Sequence, residues 1–221
     1  MDMTGHHGPI IFDFDGTLVD SEPMYAEALR LVLLEIGISV DARVLRHRFA
    51  GIDNASILRQ VSQTESRVIP REMEHKLADV VERSMRGLEP VKGAEALLVE
   101  LTERHIPLAI ASNSTAGVVA KMLRQIGLNG FFEGRVVTRD QVAAPKPSPD
   151  VYMLAANILA SSPEQCLVVE DSPVGVAAAR AAGMTVIGFS PSGGCPREFL
   201  TQAGASNVIS ELCDLLVQLA R

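Results

Sequence analysis

Short apolar runs alternate with segments of helical periodicity over most of this chain. The runs bounded by turn residues predict strands at residues 10–12, 108–111, 135–137, 166–169, 185–189 and 207–209. Apolar residues at helical spacing predict helices over 93–105, 115–126, 149–158, 174–182 and 210–219. Strands that alternate with helices imply right-handed crossovers, so the pattern predicts an α/β fold built on a doubly wound parallel sheet.

Residues 20–88 interrupt this alternation. Their apolar positions recur only at helical spacing and predict helices over 21–36, 41–49, 54–61 and 70–85. We therefore expect two domains, a catalytic core of residues 1–19 and 89–221 and an all-helical insert of residues 20–88. An insert directly after the first strand is placed to act as a lid at the active end of the sheet.

Composition narrows the classes of function. The 221 residues are 47% hydrophobic and 21% charged, which is typical of a soluble globular protein. A net charge of −7 with 4% aromatic residues argues against nucleic acid as a partner. The 3 cysteines are widely spaced and predict neither a disulfide framework nor a zinc site, which fits a reducing cytoplasm. No apolar run predicts a signal peptide or a membrane span.

Two aspartates follow the first predicted strand, Asp13 and Asp15 in the segment D-F-D-G-T-L. Residues two apart on an extended chain point the same way, so both carboxylates can address one small volume. Ligands of doubly wound sheets bind beyond the carboxyl ends of the strands. Two like charges at such a place need a cation or a shared proton. Taken alone, D-x-D is more typical of a helix cap beside a turn.

Three other strand ends carry polar residues. Ser112 and Asn113 follow the strand L-A-I-A and fit either a phosphate cradle or a helix N-cap. Lys146 lies between two prolines that hold its backbone extended, which suits a contact with a phosphoryl oxygen. Glu170 and Asp171 follow C-L-V-V and offer the hard oxygen ligands that Mg²⁺ prefers, or a helix N-terminus that favours acidic residues.

These segments together resemble the four motifs of the haloacid dehalogenase-like (HAD) phosphotransferases, in the same order and over essentially the whole chain. The forms D-G-T-L-V-D-S-E-P, K-P-S-P-D and V-E-D-S-P-V-G are most similar to the β-phosphoglucomutase-like and phosphoglycolate-phosphatase-like branches. The resemblance implies a Rossmann-like core and identifies the helical insert as similar to the C1 cap of that family.

The resemblance also implies roles for individual residues. Asp13 is expected to attack phosphorus and form an aspartyl-phosphate, and Asp15 to serve as general acid and then general base. Ser112 and Lys146, with help from Asn113, are expected to bind the transferring phosphoryl group.

Metal and substrate contacts are implied in the same way. Mg²⁺ is expected on Asp13, Glu170, Asp171 and the backbone carbonyl of Asp15. Gly51 and Asn54 fall in the cap loop and are expected to contact substrate.

We therefore expect a cytoplasmic, Mg²⁺-dependent phosphatase for a small phosphorylated metabolite, a sugar, sugar-acid or polyol phosphate, working as a monomer or weak dimer. The main alternative is a phosphomutase, whose cap loop uses basic residues to hold a second phosphate. Here that loop offers Ala50 and Asp53, although Arg46, Arg48 and Arg59 lie nearby in sequence. A metal-independent 2-haloacid dehalogenase typically lacks the second aspartate, and a non-catalytic binding module does not need the full set of charged residues.

Overall fold

The chain divides into two compact units, Met1–Asp20 with Glu89–Arg221 and Ser21–Leu88. The computed structural model describes residues 8–41, 44–45, 54–85 and 87–220. The helix expected over 41–49 therefore lies mostly outside the described residues. Among the described helices, none combines the length and the apolar character needed to cross a lipid bilayer.

The first unit is built on a six-stranded parallel sheet. Its strands are β1 (Ile10–Phe12), β2 (Leu108–Ser112), β3 (Val136–Thr138), β4 (Leu167–Glu170), β5 (Thr185–Phe189) and β6 (Asn207–Ile209). Their order across the sheet is β3-β2-β1-β4-β5-β6, and every neighbouring pair is parallel. The chain reverses its direction of growth between β1 and β4, and ligands of such sheets bind at this switch point.

Helices follow the strands and cover the sheet. In this unit they are α4 (Ala94–Glu103), α5 (Ala116–Gln125), α6 (Asp150–Ile158), α7 (Pro173–Ala181), α8 (Arg197–Ala203) and α9 (Asp214–Leu219). Ile11 is in register with Ala109 on one side and Val168 on the other, and all three side chains are fully buried in one core cluster with α6 and α7. Because the strands are covered on both faces, they are apolar at successive positions rather than at alternate ones.

The second unit is helical in its described part. It contains α1 (Glu22–Glu35), α2 (Asn54–Thr64) and α3 (Glu72–Ser84). Helix α3 packs against both α1 and α2, burying Val32 and Leu33 of α1 and Leu77 of α3. An ion pair between Lys76 and Glu35 joins α3 to α1 at the surface.

The sequence prediction missed α8 and placed the last helix too early. Helix α8 is only seven residues long and buries Leu200 against β5, where Gly188 leaves room for it. Its one sequence signal is the pair of terminators, Pro196 before it and Gly204, at φ 110°, after it. Helix α9 starts at Asp214 rather than at residue 210, because a turn precedes it. In this turn the Glu211 N–H donates to the Asp214 carboxylate at 3.3 Å.

Candidate active site

Strand β1 delivers Asp13 to the switch point of the sheet. The Asp13 N–H donates to the carbonyl of Val169 at 2.9 Å, which extends the pairing of β1 with β4 by one residue. The chain then turns sharply, with the N–H of Leu18 donating to the carbonyl of Phe14 at 2.9 Å and Gly16 at φ +83°. Asp13 is thereby held at the end of a rigid strand, with only 8% of its surface exposed.

The buried ammonium of Lys146 joins the acidic groups of β1 and β4. Its Nζ donates to Asp13 Oδ1 at 2.5 Å and to Glu170 Oε1 at 2.7 Å. Asn113, just after β2, fixes the backbone of the same lysine from both sides. Its Oδ1 accepts the Lys146 N–H at 2.8 Å, and its Nδ2 donates to the Lys146 carbonyl at 3.2 Å. The peptide bond that follows, Lys146–Pro147, is cis.

Glu170 is fully buried and accepts hydrogen bonds on both oxygens. Lys146 Nζ and the Tyr152 hydroxyl donate to Oε1 at 2.7 and 2.8 Å. The N–H and the hydroxyl of Ser172 donate to Oε2, both at 3.0 Å. A carboxylate has about four lone-pair sites, so these donors use its whole capacity. The Tyr152 ring also lies 4.8 Å from Lys146 Nζ, within reach of a cation–π interaction.

The Asp171 carboxylate lies against the turn after β1, in the space that Gly16 leaves because it has no side chain. A Cβ built on Gly16 would lie 2.1 Å from Asp171 Oδ2, so the carboxylate occupies space that any other residue would fill. The Thr17 hydroxyl donates to Asp171 Oδ1 at a long 3.4 Å. Glycine at this position is therefore required by both the backbone conformation and the approach of the second acidic residue.

Asp15 faces the turn that follows β2. The Ser114 hydroxyl donates to Asp15 Oδ2 at 2.7 Å, whereas the Ser112 hydroxyl lies 3.4 Å from the same oxygen. The Ser112 hydroxyl also accepts the N–H of Ser114 at 2.9 Å, which tightens this turn at the start of α5.

The site carries more negative than positive charge. Three buried carboxylates, those of Asp13, Glu170 and Asp171, have ligand atoms within 4.8 Å of one another. Burial raises the pKa of Asp13 to about 8, because Lys146 offsets only part of the desolvation cost and Glu170 and Asp15 add repulsion. Burial alone lowers the pKa of Lys146, but the facing carboxylates of Asp13 and Glu170 outweigh it and raise that pKa, so the lysine stays charged.

A divalent cation fits this donor set. The three acids offer hard oxygen atoms within the span of one coordination sphere, and Lys146 is the cation that bonds to two of them. A bound cation also lowers the pKa of a coordinating acid, which returns Asp13 to the ionised form that a nucleophile needs.

The structure brings six of the predicted site residues to the carboxyl ends of β1, β2 and β4, and to the loop that carries Lys146. They are Asp13, Asp15, Ser112, Lys146, Glu170 and Asp171. Asn113 lies there too, but its amide holds the backbone of Lys146. Asn54 is the first residue of α2 in the helical unit, and Gly51 lies outside the described residues.

Two residues at the site were not singled out from the sequence. Tyr152, on the first turn of α6, looks like a core residue from its helical spacing, and only its hydroxyl reveals a role at Glu170. Ser114 belongs to the segment S-N-S ahead of α5, and its hydroxyl donates to Asp15. The signal that could have found it is its position in S-N-S, beside a serine already expected to bind phosphate.

Fold and site together are those of a Rossmann-like α/β protein that assembles acids and a lysine at the switch point of a parallel sheet. Residues 10–189 match the sequence profile of the haloacid dehalogenase-like hydrolase family. The chain belongs to this family.

Three known proteins show how closely the likeness extends. Fructose-1-phosphate phosphatase YqaB of Escherichia coli is 30% identical over 84% of this chain and 97% of its own length. Hexitol phosphatase A of Escherichia coli is 32% identical over 85% of each chain. The crystal structure of a HAD family hydrolase from Deinococcus radiodurans, solved with bound phosphate and sodium, has a TM-score of 0.83 and 32% identity over 98% of this chain and 96% of that one.

Proposed function

We propose that this protein is a Mg²⁺-dependent phosphatase that hydrolyses a small phosphorylated metabolite through an aspartyl-phosphate on Asp13. The observation that carries the proposal is the convergence of Asp13 with Lys146 and the acidic pair Glu170 and Asp171 at the switch point of the sheet. Phosphoryl transfer depends mainly on positioning and on charge neutralisation, and this set supplies both.

In the first step, a carboxylate oxygen of Asp13 attacks phosphorus. The bond between phosphorus and the ester oxygen breaks, and Asp15 delivers a proton to the departing alcohol. Lys146 lies 2.5 Å from the nucleophile and is placed to neutralise a phosphoryl oxygen during transfer. The buried hydroxyl of Ser112 is suited to donate to another phosphoryl oxygen.

In the second step, water attacks the phosphorus of the aspartyl-phosphate. Asp15, now ionised, accepts the proton of that water, and the bond between phosphorus and the Asp13 oxygen breaks. Inorganic phosphate leaves, and Asp13 is regenerated as a carboxylate. Asp15 therefore ends the cycle protonated again, with a proton from water in place of the one that left with the alcohol.

Asp13 and Asp171 would hold Mg²⁺, with the backbone carbonyl of Asp15 as a further ligand. Glu170 adds its charge, and its direct ligation requires one of its four hydrogen-bond donors to leave. Mg²⁺, when bound, neutralises developing charge on the phosphoryl oxygens and orients the group for in-line attack.

The relatives support a substrate class. Fructose-1-phosphate phosphatase and hexitol phosphatase A are named for a sugar phosphate and for phosphorylated polyols, and we propose a substrate of this kind. We assign the helical unit of residues 21–88 as the cap that selects it. The 3 free cysteines fit the reducing cytoplasm, and a monomer or weak dimer suffices because the acids, Lys146 and Ser112 all come from one chain.

Phosphate release from a panel of sugar, sugar-acid and polyol phosphates tests the proposal. Fructose 1-phosphate and hexitol phosphates belong in the panel, and each is assayed with Mg²⁺, after exhaustive chelation and after Mg²⁺ is restored. We expect turnover that chelation abolishes and Mg²⁺ recovers. Full activity in a verified metal-free sample would contradict the metal assignment, and no release from any ester would contradict the phosphatase.

The acidic pair gives a direct test of metal binding. Asp171→Ala should weaken Mg²⁺ binding measured by titration calorimetry while the fold persists, because removing one carboxylate also relieves repulsion in the metal-free site. Unchanged Mg²⁺ affinity in Asp171→Ala would remove this residue from the ligand set.

A further inference from the structure

The hydrogen bond from Ser114 to Asp15 has no part in the mechanism above. The oxygens are 2.7 Å apart, which is a normal length for a hydroxyl that donates to a carboxylate oxygen. The neighbouring hydroxyl of Ser112 lies 3.4 Å from the same Oδ2, too far for a strong bond. Of these two serines, Ser114 is the one that holds Asp15.

We propose that Ser114 is a positioning residue that orients Asp15 for proton transfer to the leaving group. This inference rests on the proposed function, because it assigns a task within the same reaction. Asp15 is only half-buried, so packing alone does not hold its carboxylate in one orientation between the two steps.

The hydrogen bond fixes the orientation of the Asp15 carboxylate. The Ser114 hydroxyl donates to Oδ2 and so restrains rotation of the carboxylate about its Cβ–Cγ bond. This orientation sets how Asp15 meets the departing alcohol in the first step and the attacking water in the second. The Ser114 N–H is itself bound by the Ser112 hydroxyl at 2.9 Å, which fixes the backbone that presents Ser114.

A general acid matters in proportion to how poor the leaving group is. Dinitrophenolate leaves phosphorus without a proton, whereas phenolate profits from one. The ratio kcat/KM reports the steps up to formation of the phosphoenzyme, so it isolates the role of Asp15 as an acid. Water attack on the phosphoenzyme is common to both esters and enters only kcat.

The experiment measures kcat and kcat/KM of Ser114→Ala with phenyl phosphate and with 2,4-dinitrophenyl phosphate. We expect kcat/KM to fall about tenfold for phenyl phosphate and less than about twofold for 2,4-dinitrophenyl phosphate. Equal losses for the two esters, or no loss for either, would overturn the proposal, since a serine that binds phosphate or only supports the fold does not distinguish leaving groups.

A double-mutant cycle with Asp15 gives an independent readout. In the Asp15→Ala background, adding Ser114→Ala should change kcat/KM for phenyl phosphate by less than about twofold, because there is no carboxylate left to orient. A further loss as large as in the wild-type background would overturn the inference even if Ser114→Ala is less stable.

Ser162→Ala is the matched control. It also removes a serine hydroxyl, one that lies 3.3 Å from Gln165 Oε1 and precedes the amino end of β4, whereas the site lies at the carboxyl ends of the strands. Both esters should be hydrolysed by this variant as by the wild type. If the wild type releases phosphate neither from these two esters nor from any ester of the metabolite panel, the proposed function itself fails and Ser114 with it. Equal losses in an active series refute Ser114 alone.

Discussion

Glu170 is fully buried, and hydrogen bonds from neighbouring groups compensate for the loss of water around its carboxylate. It accepts hydrogen bonds from Lys146, Tyr152 and Ser172, and no solvent reaches it. Burial raises the pKa of the Tyr152 hydroxyl well above its usual value, and the charges of Glu170 and Asp13 raise it further, so the tyrosine remains a donor. The position of Lys146 at Asp13 therefore depends on a group of hydrogen bonds formed behind the reacting atoms.

Tyr152→Phe tests this support at the level of one atom. The change removes one donor from a buried carboxylate and keeps the ring, so we expect unfolding in urea to become easier by about 1–3 kcal/mol. Tyr152→Leu also removes the ring 4.8 Å from Lys146 Nζ and should cost more. A Tyr152→Phe protein within about 0.5 kcal/mol of the wild type would show that the hydrogen bond contributes little.

At the scale of elements, the first turns of α5 and α7 contain glycines in different surroundings. A Cβ on Gly175 of α7 would lie 1.5 Å from Glu170 Oε1, whereas a Cβ on Gly117 of α5 meets nothing within 4 Å. Helix α7 is also capped by the Ser172 hydroxyl, which accepts the Gly175 N–H at 3.0 Å. The start of α7 is thus shaped around Glu170.

Two alanine substitutions should therefore have opposite signs. Gly175→Ala is expected to destabilise the protein by about 1–3 kcal/mol, because Glu170 has to leave its four donors to make room. Gly117→Ala is expected to stabilise it by about 0.5–1 kcal/mol. Alanine lowers the conformational entropy of the unfolded chain, and its Cβ meets no other atom in the folded one. Denaturation curves measure both, and equal shifts in the two variants would contradict this account of Gly175.

The elements of the core could be predicted from the sequence because each strand is an apolar run ended by a turn and each long helix has a clear period. Helix α8 could not, since seven residues give no period and its one buried apolar side chain is Leu200. At the site, the charged groups could be predicted from the residue types that follow the apolar runs. The hydrogen bonds of Asn113 and Tyr152 depend on how distant segments pack, which local sequence does not encode.

At the scale of the whole molecule, a chain of net charge −7 is proposed to bind a phosphate dianion. Local charge has to reverse this field, and in the described part of the site Lys146 and a bound cation are the groups suited to do so. A mutase needs a second cationic site for the far phosphate of its bisphosphate intermediate. Arg59 of the helical unit is one of the arginines that the sequence offers for this second site, but its exposed side chain donates to the Ser56 hydroxyl at 2.7 Å.

We therefore expect water, rather than a second sugar, to discharge the phosphoenzyme. The measurement supplies β-glucose 1-phosphate with a catalytic amount of β-glucose 1,6-bisphosphate and follows glucose 6-phosphate and inorganic phosphate together. Phosphate release should match or exceed formation of glucose 6-phosphate. Glucose 6-phosphate forming much faster than phosphate would instead identify a phosphomutase.

The phosphorus-attacking carboxylate is the centre of this account, and Asp13→Asn tests it most directly. The variant is nearly isosteric and keeps a side chain beside Lys146, but it removes the charge that attacks. Phosphate release from the best ester of the panel should fall on the order of 10⁴-fold or more. Turnover within about tenfold of the wild type, in folded protein that mass spectrometry shows to retain Asn at this position, would contradict the assignment of Asp13 as the nucleophile.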